Sequence, residues 1–174
     1  MIIAGLVLKL RCALTDDEII ELLKLDDKID RYKRHLSFDD LCSDDFNGLG
    51  IIHFSGLSTL VIHRNIGYTC SFEGKDMYAQ DLRIQSLSNL GEILCFLSNP
   101  YSATFGYAYF KNGHRLANQA IAGGELLEGT ICLDLGDVKL TEEGVFSLIE
   151  KIGDFNLVDL ITIPKSEILV FNQL

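Results

Sequence analysis

Residues Ile2 to Leu8 are apolar without a break, and Lys9 and Arg11 follow, so residues 2–11 read as a buried first strand. Thr15 and Glu18 then stand three apart, ahead of Ile19, Leu22 and Leu23. That spacing predicts a capping box, with Thr15 as N-cap and Glu18 reaching back, and a helix over roughly 16–24. Residues 26–47 are the most polar stretch and predict a second short helix around 28–36, then a loop. From Leu49 the pattern turns β-branched. Residues 50–54 and 59–63 read as strands around a turn at Gly56, with a third strand at 67–72, the whole forming a meander.

Leu87, Leu90, Ile93, Leu94 and Leu97 recur at helical spacing after Ser86 and Ser88, either of which suits an N-cap, and Pro100 stops the run. The expectation is an amphipathic helix lying across a sheet. The strongest local signal follows: residues 103–110, then Asn112-Gly113, then 115–121. Asn-Gly between two strand-like runs predicts a two-residue type I′ hairpin, because both central residues need positive φ. Counting outward sets Phe110 against Arg115, Tyr109 against Leu116 and Tyr107 against Asn118. Phe105, Tyr107 and Tyr109 then share a candidate core face with Leu116 and Ala120. Gly123-Gly124 breaks the second strand and residues 130–135 read as another. Leu140-Thr141 opens a helix whose Val145, Leu148, Ile149 and Ile152 share a face, and Gly153 ends it. Residues 156–163 leave strand and short helix open, and Glu167–Phe171 reads as a final edge strand after Pro164. The fold class expected is α+β: a mixed, mainly antiparallel sheet with about three helices packed on it, residues 1–174 forming a single domain.

Composition narrows the function. The chain has 174 residues, 15 basic against 25 acidic, a net charge of −10. That balance disfavours nucleic acid and anionic membrane as partners and favours a basic protein. Residues 15–45 hold 11 acidic and 5 basic side chains, more than half of the excess. No stretch approaches 18 uninterrupted apolar residues, so no transmembrane helix is expected, and the short N-terminal apolar run lacks a basic segment before it. The five cysteines, Cys12, Cys42, Cys70, Cys95 and Cys132, are widely spaced with no C-x-x-C. Reduced, buried thiols and a cytoplasmic location follow.

No catalytic or cofactor motif stands out, and no cofactor is expected. Gly56-Leu57-Ser58-Thr59-Leu60 lacks the closing glycine of a nucleophile elbow. His35, His53, His63 and His114 show no ligand spacing, so no metal site is expected, although His53 and His63 are placed to approach across a hairpin. Phosphate-binding glycine motifs are absent. The Asp-rich stretch 39–48 lacks the alternating order and closing Glu of a calcium loop. It reads instead as an acidic surface, with Asp39, Asp40, Asp44 and Asp45 interleaved with Phe38, Leu41 and Phe46 as apolar anchors. Glu125 and Glu128 form a second acidic site.

The unit Phe105–Arg115, with its aromatic strand and Asn112-Gly113 turn, is preceded by a predicted helix and followed by a Gly-rich turn. Across residues 87–121 it resembles the aromatic hairpin of small bacterial domains, some of which look like immunity proteins of polymorphic-toxin or secretion-system effectors. The resemblance implies a cytosolic, non-catalytic protein that neutralises a cognate toxin, and it carries over no functional residue. The leading expectation is thus an immunity-type inhibitor that occludes a basic toxin through acidic residues. The alternative is a small cytosolic hydrolase using Cys70 or a His–carboxylate pair, with a pocket beside His53, His63 and Cys70. A structural or oligomerising module is the third.

Overall fold

The computed structural model describes residues 2–23, 29–43, 45–54, 57–63, 72, 79–127 and 129–173. In chain order the elements are β1 (Ile3–Leu10), α1 (Asp16–Leu22), β2 (Ile29–His35), α2 (Phe38–Leu41), β3 (Gly48–His53), β4 (Ser58–Ile62) and α3 (Ala79–Leu87). There follow β5 (Gly91–Asn99), β6 (Thr104–Lys111), β7 (His114–Ala122), β8 (Glu125–Leu126), α4 (Glu142–Gly153), α5 (Leu157–Thr162) and β9 (Ile168–Gln173). The nine strands form one sheet in the order β2-β9-β3-β4-β1-β5-β6-β7-β8. The class is α+β, as the pattern predicts. The sheet is not mixed, because every described pairing is antiparallel. Five α-helices, rather than about three, are present among the described residues.

Both faces of the middle of the sheet, at β3, β4, β1, β5 and β6, are buried. On one, Leu6, Leu8, Ile93 and Phe110 pack with Ile19 and Ile20 of α1 and with Ile84 and Leu87 of α3. On the other, Val7, Leu94, Phe96 and Tyr107 pack with α4 through Val145, Leu148, Ile149 and Ile152, and with Leu160 of α5. Leu94 and Phe96 are fully buried, each contributing about 1.5–3 kcal/mol of apolar transfer.

This double burial explains the largest departure from the sequence pattern. Residues 91–99, expected as an amphipathic helix, are the strand β5. A strand buried on both faces is apolar at every position, and such a run satisfies a helical spacing by accident. The helix there is α3; it ends at Leu87 and a 3₁₀ turn, Ser88–Leu90, follows. Ser88 does not open a helix. Its hydroxyl donates to the Gln85 carbonyl (2.7 Å) and accepts from the Gly113 amide (3.0 Å), pinning the hairpin turn to the end of α3.

The Asn112-Gly113 turn is as expected, with φ of 52° and 74° and Lys111 opposite His114. Phe110 faces Arg115, but a bulge between Tyr109 and Phe110 shifts the rest: Tyr109 faces Ala117 and Tyr107 faces Gln119. Phe105, Tyr107, Tyr109 and Leu116 do share a face. The one-residue slip sends Ala120 to the opposite core.

Other elements also differ. Where a helix is expected around 28–36, the described residues Ile29–His35 form the strand β2, paired with β9 across a register shift. Residues 130–135 are not a strand: Thr130 makes an isolated bridge to Asn118, and Leu133–Leu135 form a 3₁₀ turn. β9 is not an edge strand, since it lies between β2 and β3. Residues 157–162 resolve the open choice as helix. The capping box at α1 forms as predicted: the Thr15 amide donates to Glu18 Oε2 (2.7 Å) and the Glu18 amide to Thr15 Oγ1 (3.3 Å). Thr141 caps α4 by accepting from the Gly144 amide, and the left-handed residue after Gly153 is Asp154, at φ 57°. The Gly56 turn lies outside the described residues, as does the strand expected at 67–72 apart from Phe72.

Candidate docking surface

The first acidic stretch is divided by the fold. Asp39 and Asp45 are exposed. Asp40 is exposed too, but it serves α2: its carboxylate accepts from the Ser37 amide (2.9 Å) and hydroxyl (2.5 Å), with Lys165 at 3.7 Å. The Ser37 hydroxyl, then its amide, then Lys165 hold the Asp40 carboxyl below the ordinary aspartate range. Asp44 lies outside the described residues. The expected apolar anchors are not on the surface. Phe46 and Phe38 are each 8% exposed and Leu41 1%, and all three pack in the core beneath α2. A four-residue helix covers its one apolar face by turning Phe38 and Leu41 inward, so the acids and the apolar side chains of this segment point apart.

The second acidic site fares differently. Glu125 is exposed on β8, at the opposite end of the sheet, and Glu128 lies outside the described residues. Leu41 of α2 sits over Gly50 of β3. From β3 to β8 is six strand steps, roughly 29 Å at 4.8 Å each. The two acidic sites are therefore separate surfaces.

Beside β8 lies a groove of about 730 Å³, floored by Ile121, Val138 and Leu140. Leu126, Ile131 and Leu133 line it while 68%, 64% and 92% exposed. Asp137 and Lys139 also line it, and Glu125 and Asp134 are exposed on the neighbouring backbone. The cause is local. After the Gly123-Gly124 turn the chain runs back along β7 for two residues of ladder, Ile121 opposite Leu126 and Ala122 opposite Glu125. Among the described residues it meets the β7 backbone again where the Leu127 amide donates to Ala120, at Gly129 against Asn118, and at the Thr130 bridge. The 3₁₀ turn then buries Leu135 and leaves Leu133 outside. Sequence reading treats residues 130–135 as a strand and so misses the apolar surface. The signal available is the pair Gly129 and Gly136 bracketing an apolar run too short to cross the sheet.

The residues considered for catalysis do not converge. His53 stands opposite Thr59 in the β3–β4 ladder, whereas His63, 3% exposed, lies beyond Ile62, the partner of Gly50. Four strand positions, about 13 Å, separate them. Cys70 lies outside the described residues. Burial first, then the Asp39 carboxylate, pushes the Cys42 thiol up to about 12, the opposite of what a thiolate nucleophile needs. His53 does join a hydrogen-bonded chain, with Nε2 at 2.8 Å from Asp16 Oδ1 and Nδ1 at 3.0 Å from Thr59 Oγ1. Carboxylate, imidazole and hydroxyl follow one another as in acyl transfer, but Thr59 is only 7% exposed and set within β4. The chain straps the start of α1 to the β3–β4 hairpin. Among the described residues no three His, Cys, Asp or Glu side chains gather as metal ligands, and no helix is long and apolar enough to cross a membrane. Comparison with protein-family models, curated proteins and solved structures finds no match.

Proposed function

We propose that this chain is a non-catalytic, immunity-type inhibitor that neutralises a cognate basic toxin by covering it with the groove beside β8. The observation that carries this reading is the placement of Leu126, Ile131 and Leu133 in one open groove, Leu133 at 92% exposure. Large apolar side chains held out of a well-filled core mark a surface that a partner buries. Burying each contributes about 1.5–3 kcal/mol before the cost of association. Glu125, Asp134 and Asp137 around the groove favour a partner with basic residues around an apolar contact, and the net charge of −10 speeds its encounter. Asp39 and Asp45 contribute to that long-range field and make no contact. The immunity role itself comes from the resemblance of the aromatic hairpin.

The test is a photo-crosslinking side chain at position 133, with one at Tyr101 (74% exposed, in another loop) as control, in lysate of the encoding organism. The expected product is one basic protein, captured from 133 and not from 101. That protein, purified, should lose roughly 30-fold or more in affinity to the double variant Ile131→Asp, Leu133→Asp. Its toxicity on expression should be relieved by the wild type and not by the variant. Equal capture from both positions, or undiminished rescue by the variant, overturns the reading.

A further inference from the structure

A second feature does not depend on the groove for its argument, although Asp134 also acts on its Lys111. In the β1–β5 ladder Lys9 faces Glu92, and in the β5–β6 ladder Glu92 faces Lys111. The three side chains stand in a row across three adjacent strands. Both Glu92 oxygens are occupied: Lys111 Nζ lies 2.8 Å from Oε1, and the Tyr109 hydroxyl donates to Oε2 at 2.8 Å. Partial burial pushes this carboxyl up, but the hydrogen bonds from Lys111 and Tyr109 more than offset it and hold it below the ordinary glutamate range. Glu92 is thus an ionised and fully engaged member of the row.

The cations outnumber it. Among the described residues Lys9 forms one ion pair, with Asp154 at 3.7 Å, a carboxylate 84% exposed to water, and adds a weaker pull on Glu92. Arg11, exposed just beyond the end of β1, has no carboxylate partner among the described residues. These side chains, with Asn112 of the left-handed turn, line a cleft of about 260 Å³. Three of the chain's 15 basic residues therefore surround one cleft that holds one carboxylate, in a protein with an excess of ten negative charges. This local surplus of cations gives the cleft a potential opposite in sign to the chain's net charge, one that attracts anions.

We infer that the cleft formed by Lys9, Arg11, Lys111 and Asn112 binds the oxyanion group of a small molecule, a phosphate or a carboxylate. Arg11 supplies a planar fork that meets two oxygens of such a group at once, and Lys9 supplies a mobile point charge beside it. The Asn112 carboxamide adds a neutral donor at the rim. The volume suits one phosphate or carboxylate group and is below the range of sites that enclose a whole cofactor.

The experiment is a titration of the ¹⁵N-labelled chain with sodium phosphate, sodium acetate and disodium succinate, each against sodium chloride at equal ionic strength. Saturable amide shifts at residues 9–12, 91–92 and 111–113, with Kd of about 1–10 mM, are expected for phosphate or for a carboxylate. Which anion saturates first assigns the source. Arg11→Gln should weaken the binding about tenfold or more, and Lys9→Gln should weaken it less. Lys165→Gln, beside Asp40 and outside the cleft, should leave it unchanged. Both substitutions at the cleft, exposed Arg11 and half-buried Lys9, are checked for an otherwise unaltered spectrum. Shifts that stay linear to about 100 mM, that chloride reproduces, or that persist in Arg11→Gln overturn the site.

Discussion

Tyr109→Phe isolates one interaction in a setting where its size can be worked out. The hydroxyl donates to Glu92 Oε2 at 2.8 Å from a residue only 3% exposed. A hydrogen bond to an ionised acceptor contributes about 1.5–3 kcal/mol. Glu92 is 30% exposed and keeps Lys111 on its other oxygen, so water replaces part of what is lost. The expected cost is about 1–2 kcal/mol at pH 7, a fall in melting temperature of roughly 2–8 °C for a chain of this size. Urea unfolding measures it, with the midpoint lowered and the slope unchanged. Glu92 titrates lower in the folded than in the unfolded chain, so its contribution is present above the unfolded glutamate pKa and is lost as pH falls through the folded value. The cost of Tyr109→Phe should therefore shrink in acid. In a double-mutant cycle with Glu92→Gln the coupling should be about 1 kcal/mol. An equal cost in acid and at neutrality, and an equal cost with or without the Glu92 carboxylate, would refute the assignment.

Three further outcomes follow from particular residues. Gly5→Ala should cost about 1–3 kcal/mol or more in urea unfolding, because its new Cβ runs into the Val61 carbonyl across the β1–β4 pair at the middle of the sheet. Cys42, with its thiol raised to about 12, should react with a disulfide reagent far more slowly at pH 8 than exposed Cys12 does, mass spectrometry resolving the two sites. Leu133→Asp should change stability by no more than about 0.5 kcal/mol, since the side chain is already 92% exposed. A larger loss would mean that Leu133 serves the fold and not a partner.

What the sequence discloses here depends on how local the determining contacts are. The capping box at Thr15 and Glu18, the Asn112-Gly113 turn and the stripe of α4 involve neighbours within a few residues, and all three are legible. The β5 run is not, because its period is erased when helices cover both faces. β2 is polar at most positions and is a strand only because β9 arrives beside it, which no local pattern records. The hairpin register is legible as far as Phe110, and the bulge at Tyr109 then misplaces Ala120. The acidic residues of the candidate sites are plain in the sequence. Which of them share a surface with exposed apolar side chains is not: Phe46 is drawn into the core, whereas Leu133, apolar and apparently destined for burial, is left outside by a 3₁₀ turn.

The position of β9 bears on how the chain is made. His35 and Ile168, joined by a side-chain contact at the β2–β9 junction, are 133 residues apart. At ribosomal speeds of about 5–20 residues per second, roughly 7–27 s pass between synthesis of the two. During that interval β3 has β4 on one side and bare amides and carbonyls on the other, an open template for pairing with a neighbouring nascent chain. The β5–β6–β7 wing closes through adjacent segments as it emerges. The first-made wing closes last, and a ribosome that stalls before Ile168 releases a product in which β2 has lost the strand it pairs with.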